Sequence, residues 1–171
     1  SSGKALIREA VPDDAAQIVR YMERIINELD NGIIQSPGEL RNEEQERQRI
    51  EEHHNTENML MIVAVTGDNQ IIGLANYHGG QRQANTHNAG LGITVHQDWR
   101  NSGIGTMMMQ YLIDHACRSG IIQRLELEVF THNARAIHVY HKLGFQFEGT
   151  RRKAFFRDGH FVDAHIMAFI F

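Results

Sequence analysis

The passage from Ile93-Thr94-Val95 through His96-Gln97-Asp98-Trp99 into Arg100-Asn101-Ser102-Gly103-Ile104-Gly105-Thr106 constrains the fold more than any other. A strand runs into a loop with two glycines, and the loop runs into a helix. Backbone N–H groups at a helix start lack partners and sit at the positive end of the helix dipole. Small residues let an anion approach those groups closely, and Arg100 adds a charged donor. The segment is therefore chemically sufficient to cradle a phosphate. It is not a Walker loop, which ends Gly-Lys-Ser/Thr. It is not a dinucleotide fingerprint either, because the third glycine position is Met108. The other reading is that the glycines only serve a tight turn.

The rest of the chain reads as alternating strands and helices. Leu6, Ile7 and Val11 suggest a first strand, and Pro12-Asp13-Asp14 is a helix-start signal. Ala15, Ile18, Val19, Met22, Ile25, Ile26 and Leu29 form one apolar stripe, ended by Asn31-Gly32. A far more polar helix is expected from Ser36-Pro37-Gly38-Glu39 to about His54. It is either a solvated helix with spaced ion pairs or a wall of a substrate site. Met59 to Val65 and Ile71 to Tyr77 flank the turn Gly67-Asp68-Asn69 as a hairpin. Ala89 to Val95 is a strand in which Gly90 and Gly92 signal a bulge or a close backbone approach.

Gly103 to Ser119 is a helix with Ile104, Met107, Met108, Tyr111, Leu112 and His115 on related faces, stopped by Gly120. Leu125, Leu127 and Val129 alternate with Glu126, Glu128 and Phe130 as a strand. A short helix from Asn133 to Leu143 ends at Gly144. Phe145 and Phe147 begin a strand, and Phe161 to Phe171 is the last, after the turn Arg157 to His160. The expectation is a mixed α/β chain with one continuous core and no linker or repeat.

The 171 residues fit one domain, and 42% hydrophobic content supports a packed core. Ser1-Ser2-Gly3 is expected to be a cloning scar, leaving 4–171 as the domain. A net charge of −4 disfavours nucleic acid as a partner. No eighteen-residue apolar run or basic leader is present, so no membrane span and a cytoplasmic location are expected. The single cysteine, Cys117, lies beside Ile113 and Ala116 and is expected to be at least half-buried. The eleven histidines, His138 and His141 among them, show no zinc spacing, so no metal is expected. His78, His87 and His96 fall near strand ends, where one of them is an alternative base.

Arg100-x-x-Gly103-x-Gly105 resembles the acetyl-CoA signature of the GCN5-related N-acetyltransferase (GNAT) superfamily. Asn133-Ala134-Arg135-Ala136 through Tyr140 to Leu143-Gly144-Phe145 is similar to that family's later motif, in the expected order and separation. Weaker similarity runs from about Leu6 to Phe171. The tail looks like the branch of ribosomal-protein, polyamine and small-amine acetyltransferases.

The resemblance implies an α/β (α+β) fold. Its sheet would be mixed and mostly antiparallel, with two central parallel strands splayed apart and helices flanking it. A bulge before the Gly loop would open the gap. Ile93, Thr94 and Val95 would hold the pantetheine arm like an added strand. Arg100, Asn101, Ser102, Gly103, Ile104, Gly105 and Thr106 would hold the pyrophosphate, and Asn133 and Ala136 would contact acetyl-CoA from the second helix. Tyr140 would protonate the departing thiolate, and Glu128 would act as base directly or through water. A backbone N–H near Val95 would bind the oxyanion.

The implied activity is acetyl transfer to a primary amine of a small molecule or a protein N-terminus by direct attack in a ternary complex. The alternative is a non-catalytic acyl-CoA-binding or sensing module. Tyr140 also reads as a core aromatic, and Glu128 as solvent-facing. A homodimer is the family's common habit.

Overall fold

The computed structural model describes residues 4–28, 32, 34 and 36–171. Its eleven longer elements are β1 (Leu6–Glu9), α1 (Ala15–Ile26), α2 (Glu43–Asn55), β2 (Met59–Val65), β3 (Ile71–Gly79), β4 (Asn88–Val95), α3 (Ile104–Ser119), β5 (Arg124–Phe130), α4 (Ala134–Leu143), β6 (Gln146–Arg157) and β7 (His160–Ile170). The strands form one sheet in the order β1-β2-β3-β4-β5-β7-β6. Every neighbouring pair is antiparallel except β4 with β5, which is parallel.

Buried side chains separate onto the two faces of this sheet, so the expected single core is two clusters. Leu60, Ile62 and Ala64 of β2 pack in the cluster that holds Met108, Leu112 and Phe145. Met61, Val63 and Val65 pack with Ile18, Tyr21, Ile25 and Ile50 of α1 and α2. All seven residues of β2 are buried, which explains why its sequence is an unbroken apolar run.

Several sequence expectations shift. Val11 lies beyond β1, at the start of a 3-10 turn over Pro12–Asp14. Leu29 and Asn31 lie outside the described residues, and α1 ends at Ile26. The segment Pro37–Glu39 is only a 3-10 turn. The second helix begins at Glu43, where Asn42 and Gln45 form a reciprocal capping box. Met107 is exposed, at 53%, while Met108 and Met109 take the inward positions. Cys117 is exposed, not half-buried. Ala116 points inward, and the next residue is turned about 100° away from it.

No described helix is long and apolar enough to cross a membrane.

Candidate active site

The parallel ladder between β4 and β5 covers only Asn88↔Arg124, Ala89↔Leu125 and Gly90↔Glu126. Beyond it both strands continue, β4 to Val95 and β5 to Phe130, without pairing to each other. The central strands therefore splay, as expected. The expected bulge is not what separates them. β4 pairs with β3 in one unbroken register from Gly73↔Val95 to Gly79↔Ala89.

The direction of the backbone groups in the splay follows from the flanking bonds. Gly80 N–H donates to Asn88 C=O (3.0 Å), and His96 N–H donates to Ile72 C=O (2.7 Å). Both fit a register in which even-numbered β4 residues bond to β3. Leu91, Ile93 and Val95 thus turn their N–H and C=O groups toward the gap. On the far side, Phe171 N–H donates to Gln123 C=O and Thr131 N–H donates to Asp163 C=O, both at 3.1 Å. By the same alternation, the backbones of Glu126, Glu128 and Phe130 face the gap.

At the top of β4 the chain turns into α3. His96 is buried, and its Nδ1 accepts from Asp98 N–H at 3.0 Å. The Ser102 hydroxyl donates to Trp99 C=O. Asn101 (φ 66°) and Gly103 (φ 88°) take left-handed conformations. The first helical bond runs from Met107 N–H to Gly103 C=O, 3.0 Å, and no side chain caps the helix. The N–H groups of Ile104, Gly105 and Thr106 therefore have no helical acceptor. Arg100, expected to join them, is held elsewhere. Its Nη2 donates to Glu28 Oε2 at 2.6 Å and its Nε to Val95 C=O at 3.2 Å.

The second motif shapes α4. Asn133 Oδ1 accepts from Ala136 N–H at 3.3 Å, so Asn133 caps the helix and fixes Ala136 in its first turn. Gly144 ends α4 at φ 108°, and a Cβ there would stand 2.9 Å from the Phe169 ring. Phe145 is fully buried between Tyr140 and Phe169, with ring centroids 6.0 and 5.7 Å away. Gly144 and Phe145 thus seat Tyr140. The phenol makes no hydrogen bond among the described residues, and burial pushes its pKa up to about 12.

A cleft of about 980 Å³ runs along this gap. It is lined by Gly90, Leu91, Gly92, Ile93 and Thr94 of β4, by Glu126 to Val129 of β5, and by Asn133 and Tyr140. Glu128 faces this cleft and not open solvent. Its Oε1 accepts from Arg151 Nη1 at 2.8 Å, while Oε2 is buried with no partner among the described residues. A buried carboxylate oxygen without a partner is costly and is expected where a ligand completes the set.

Gly90 and Gly92 leave the floor of the cleft without side chains. A Cβ at Gly90 would meet nothing within 4 Å, and one at Gly92 would lie 3.3 Å from Asn76 Oδ1. Of the three histidines near strand ends, His78 lines the cleft, His87 is exposed, and His96 is buried under the loop.

Sequence reasoning missed one polar chain. Buried His53 donates from Nδ1 to Arg49 C=O (2.8 Å), so its Nε2 accepts from Asn76 Nδ2 (3.1 Å). That fixes the Asn76 amide with Oδ1 toward Gly92. Only the i, i+4 spacing of Arg49 and His53 hinted at the contact. Burial, chiefly, drops the His53 pKa from 6.5 to about 4.

Folding therefore favours the neutral ring. The resulting stability is complete above pH 6.5 and is lost as pH falls toward 4, because the unfolded chain protonates first. The loss amounts to about 3 kcal/mol. The urea midpoint of the wild type is expected to fall over that range by more than that of His53→Gln. Parallel pH profiles would remove this role.

A profile of the acetyltransferase (GNAT) family matches residues 21–145. The L-amino acid N-acetyltransferase AaaT of Escherichia coli is 37% identical over 108 residues, which are 63% of this chain and 65% of that protein. The ribosomal protein bS18-alanine N-acetyltransferase of Salmonella typhimurium is 41% identical over 78 residues, 44% of this chain and 51% of that protein. The matched segments thus span less than two thirds of either relative. The crystal structure of a GNAT-family acetyltransferase from Streptococcus pneumoniae superposes with a TM-score of 0.92 at 30% identity. It covers 98% of this chain and 100% of its own. The fold is that of an acetyltransferase of this family. The chain belongs to the acetyltransferase (GNAT) family, whose cosubstrate is acetyl-CoA.

Proposed function

We propose that the chain is an acetyl-CoA-dependent N-acetyltransferase acting on a primary amine by direct attack in a ternary complex. The observation that carries this reading is the splay itself. Unpaired backbone groups of β4 open into the cleft that also holds Glu128 and Tyr140, and the strand leads to three unpaired helix N–H groups. The pantetheine arm pairs with the backbones of Ile93 and Val95. Thr94 stands at the cleft wall with its hydroxyl 2.9 Å from Tyr21 Oη. The diphosphate lies on the amides from Asn101 to Thr106. Asn133 and Ala136 hold the start of α4 against the cofactor. Arg100 serves this nest by bracing the turn through Val95 C=O.

The amine nitrogen attacks the thioester carbon, and the C–S bond breaks. The proton leaving the amine passes to Glu128 or to a water it holds. A backbone N–H of β4 that faces the gap stabilises the oxyanion, and Tyr140 donates toward the sulfur. A phenol near 12 stays protonated at neutral pH. Complete transfer from it to a thiolate of ordinary pKa is uphill by about 5 kcal/mol. Tyr140 therefore acts by hydrogen bonding to the sulfur while the C–S bond is breaking.

The test is thiol release from acetyl-CoA by the purified chain against a panel of primary amines, with calorimetry of acetyl-CoA alone. Amine-dependent thiol release is expected. Heat of binding with no release from any amine would favour the sensing module instead, and absence of heat would remove both readings.

A further inference from the structure

We propose that Arg41 and Arg49 form an anion subsite in the cleft, so that the acceptor is a small amino acid bearing a free carboxylate near its amine. The inference rests on the reading of this cleft as the acceptor site. Arg49 lies on α2, and Arg41 stands one residue before its cap, Asn42; both line the same cleft as Gly92 and Glu128. Glu46, which is buried, lies 3.3 Å from Arg49 Nη1. Arg41 makes no ion pair or hydrogen bond among the described residues. Glu46, with Glu52 also in range, answers Arg49, whereas Arg41 has no counter-ion among the described residues. Burial and then the proximity of Arg41 lower the Arg49 pKa, against the opposing pull of Glu46 and Glu52. The third arginine of the cleft, Arg151, is already engaged by Glu128.

Glu126 and Glu128 lie on β5, beside the splay where transfer takes place. The cleft therefore presents the unpartnered Glu128 Oε2 on β5 and, beside α2, the Arg41 guanidinium with no counter-ion among the described residues. A zwitterion satisfies both, with its ammonium toward Glu128 and its carboxylate across the guanidinium pair. A polyamine would bring a second cation against Arg41 and Arg49, which is repulsive. A protein N-terminus offers a neutral amide where the carboxylate would bind, leaving the Arg41 charge unanswered. An L-amino acid acetyltransferase and a ribosomal-protein acetyltransferase are both relatives of this chain, so kinship does not choose between these acceptors. The arginine pair does.

The test compares matched acceptors in the thiol-release assay: free amino acids, the same amino acids as primary amides, and diamines. The wild type is expected to prefer the free acid over its amide by about 30-fold or more in kcat/KM, as two charged hydrogen bonds allow. In Arg41→Gln the preference is expected to fall below about threefold, through KM for the free acid, with acetyl-CoA affinity unchanged. A second measurement avoids turnover. N-acetylated amino acids should bind the wild type, by calorimetry, about tenfold tighter than their amides, and Arg41→Gln should erase the difference. Equal use of acids, amides and diamines, or a preference untouched in Arg41→Gln, overturns the subsite while leaving the acetyltransferase reading in place. Failure of every amine, with no binding of acetyl-CoA, overturns both.

Discussion

Tyr140→Phe is expected to lower kcat for thiol release by about 10²- to 10³-fold, the range for loss of a positioned acid. The affinity for acetyl-CoA should change by less than about threefold, because the lost hydroxyl acts on charge that develops only as the C–S bond breaks. The fold should be indifferent to the change. The phenol oxygen bonds to no described residue, while the ring keeps its contact with Phe145 at 6.0 Å between centroids. A purely structural Tyr140 would give the opposite pattern, a lowered melting temperature with kcat intact. Full activity in the Phe variant would strip Tyr140 of its role.

The second large effect is at Gly105. Its replacement by Leu is expected to weaken acetyl-CoA binding by at least about 100-fold, or about 2.7 kcal/mol. The side chain would occupy space the diphosphate needs beside the helix N–H groups. Alanine makes the test clean. A Cβ at Gly105 would lie 3.6 Å from Val95 Cγ2, an ordinary contact, and φ there is not left-handed. Gly105→Ala should therefore fold at least as well as the wild type, with a helix-propensity gain of up to about 1 kcal/mol. Its affinity for acetyl-CoA should nevertheless fall. Gly103 cannot serve this purpose, because at φ 88° any side chain strains the turn even without a ligand. Unchanged acetyl-CoA affinity in Gly105→Leu would move the diphosphate away from this loop.

Much of the architecture was legible because it rests on local rules. The turn at Gly67-Asp68-Asn69, the stop at Gly120 and the helix between Asn133 and Gly144 come from residues that disfavour other conformations at those points. Glu128 could be placed opposite Leu127 and Val129, since strand side chains alternate. Whether that opposite face was solvent or cleft depended on where β4 stops pairing, which no local pattern states. Arg100 shows the same limit from the other side. Its position before the glycines suggested a phosphate ligand, yet Glu28, 72 residues away in sequence, holds its guanidinium.

The chain alone determined the order of its elements, the glycine loop at the start of α3 and the second motif that seats Tyr140, because spacing, capping and backbone preference act over a few residues. Only the tertiary structure decided that β4 and β5 part after Gly90 and that Arg41 and Arg49 reach the same cleft as Glu128. The arginine placements join segments 79 and 87 residues apart in sequence. They follow from packing α2 against one face of the sheet, a choice set by the sum of buried surfaces and not by any short stretch of sequence.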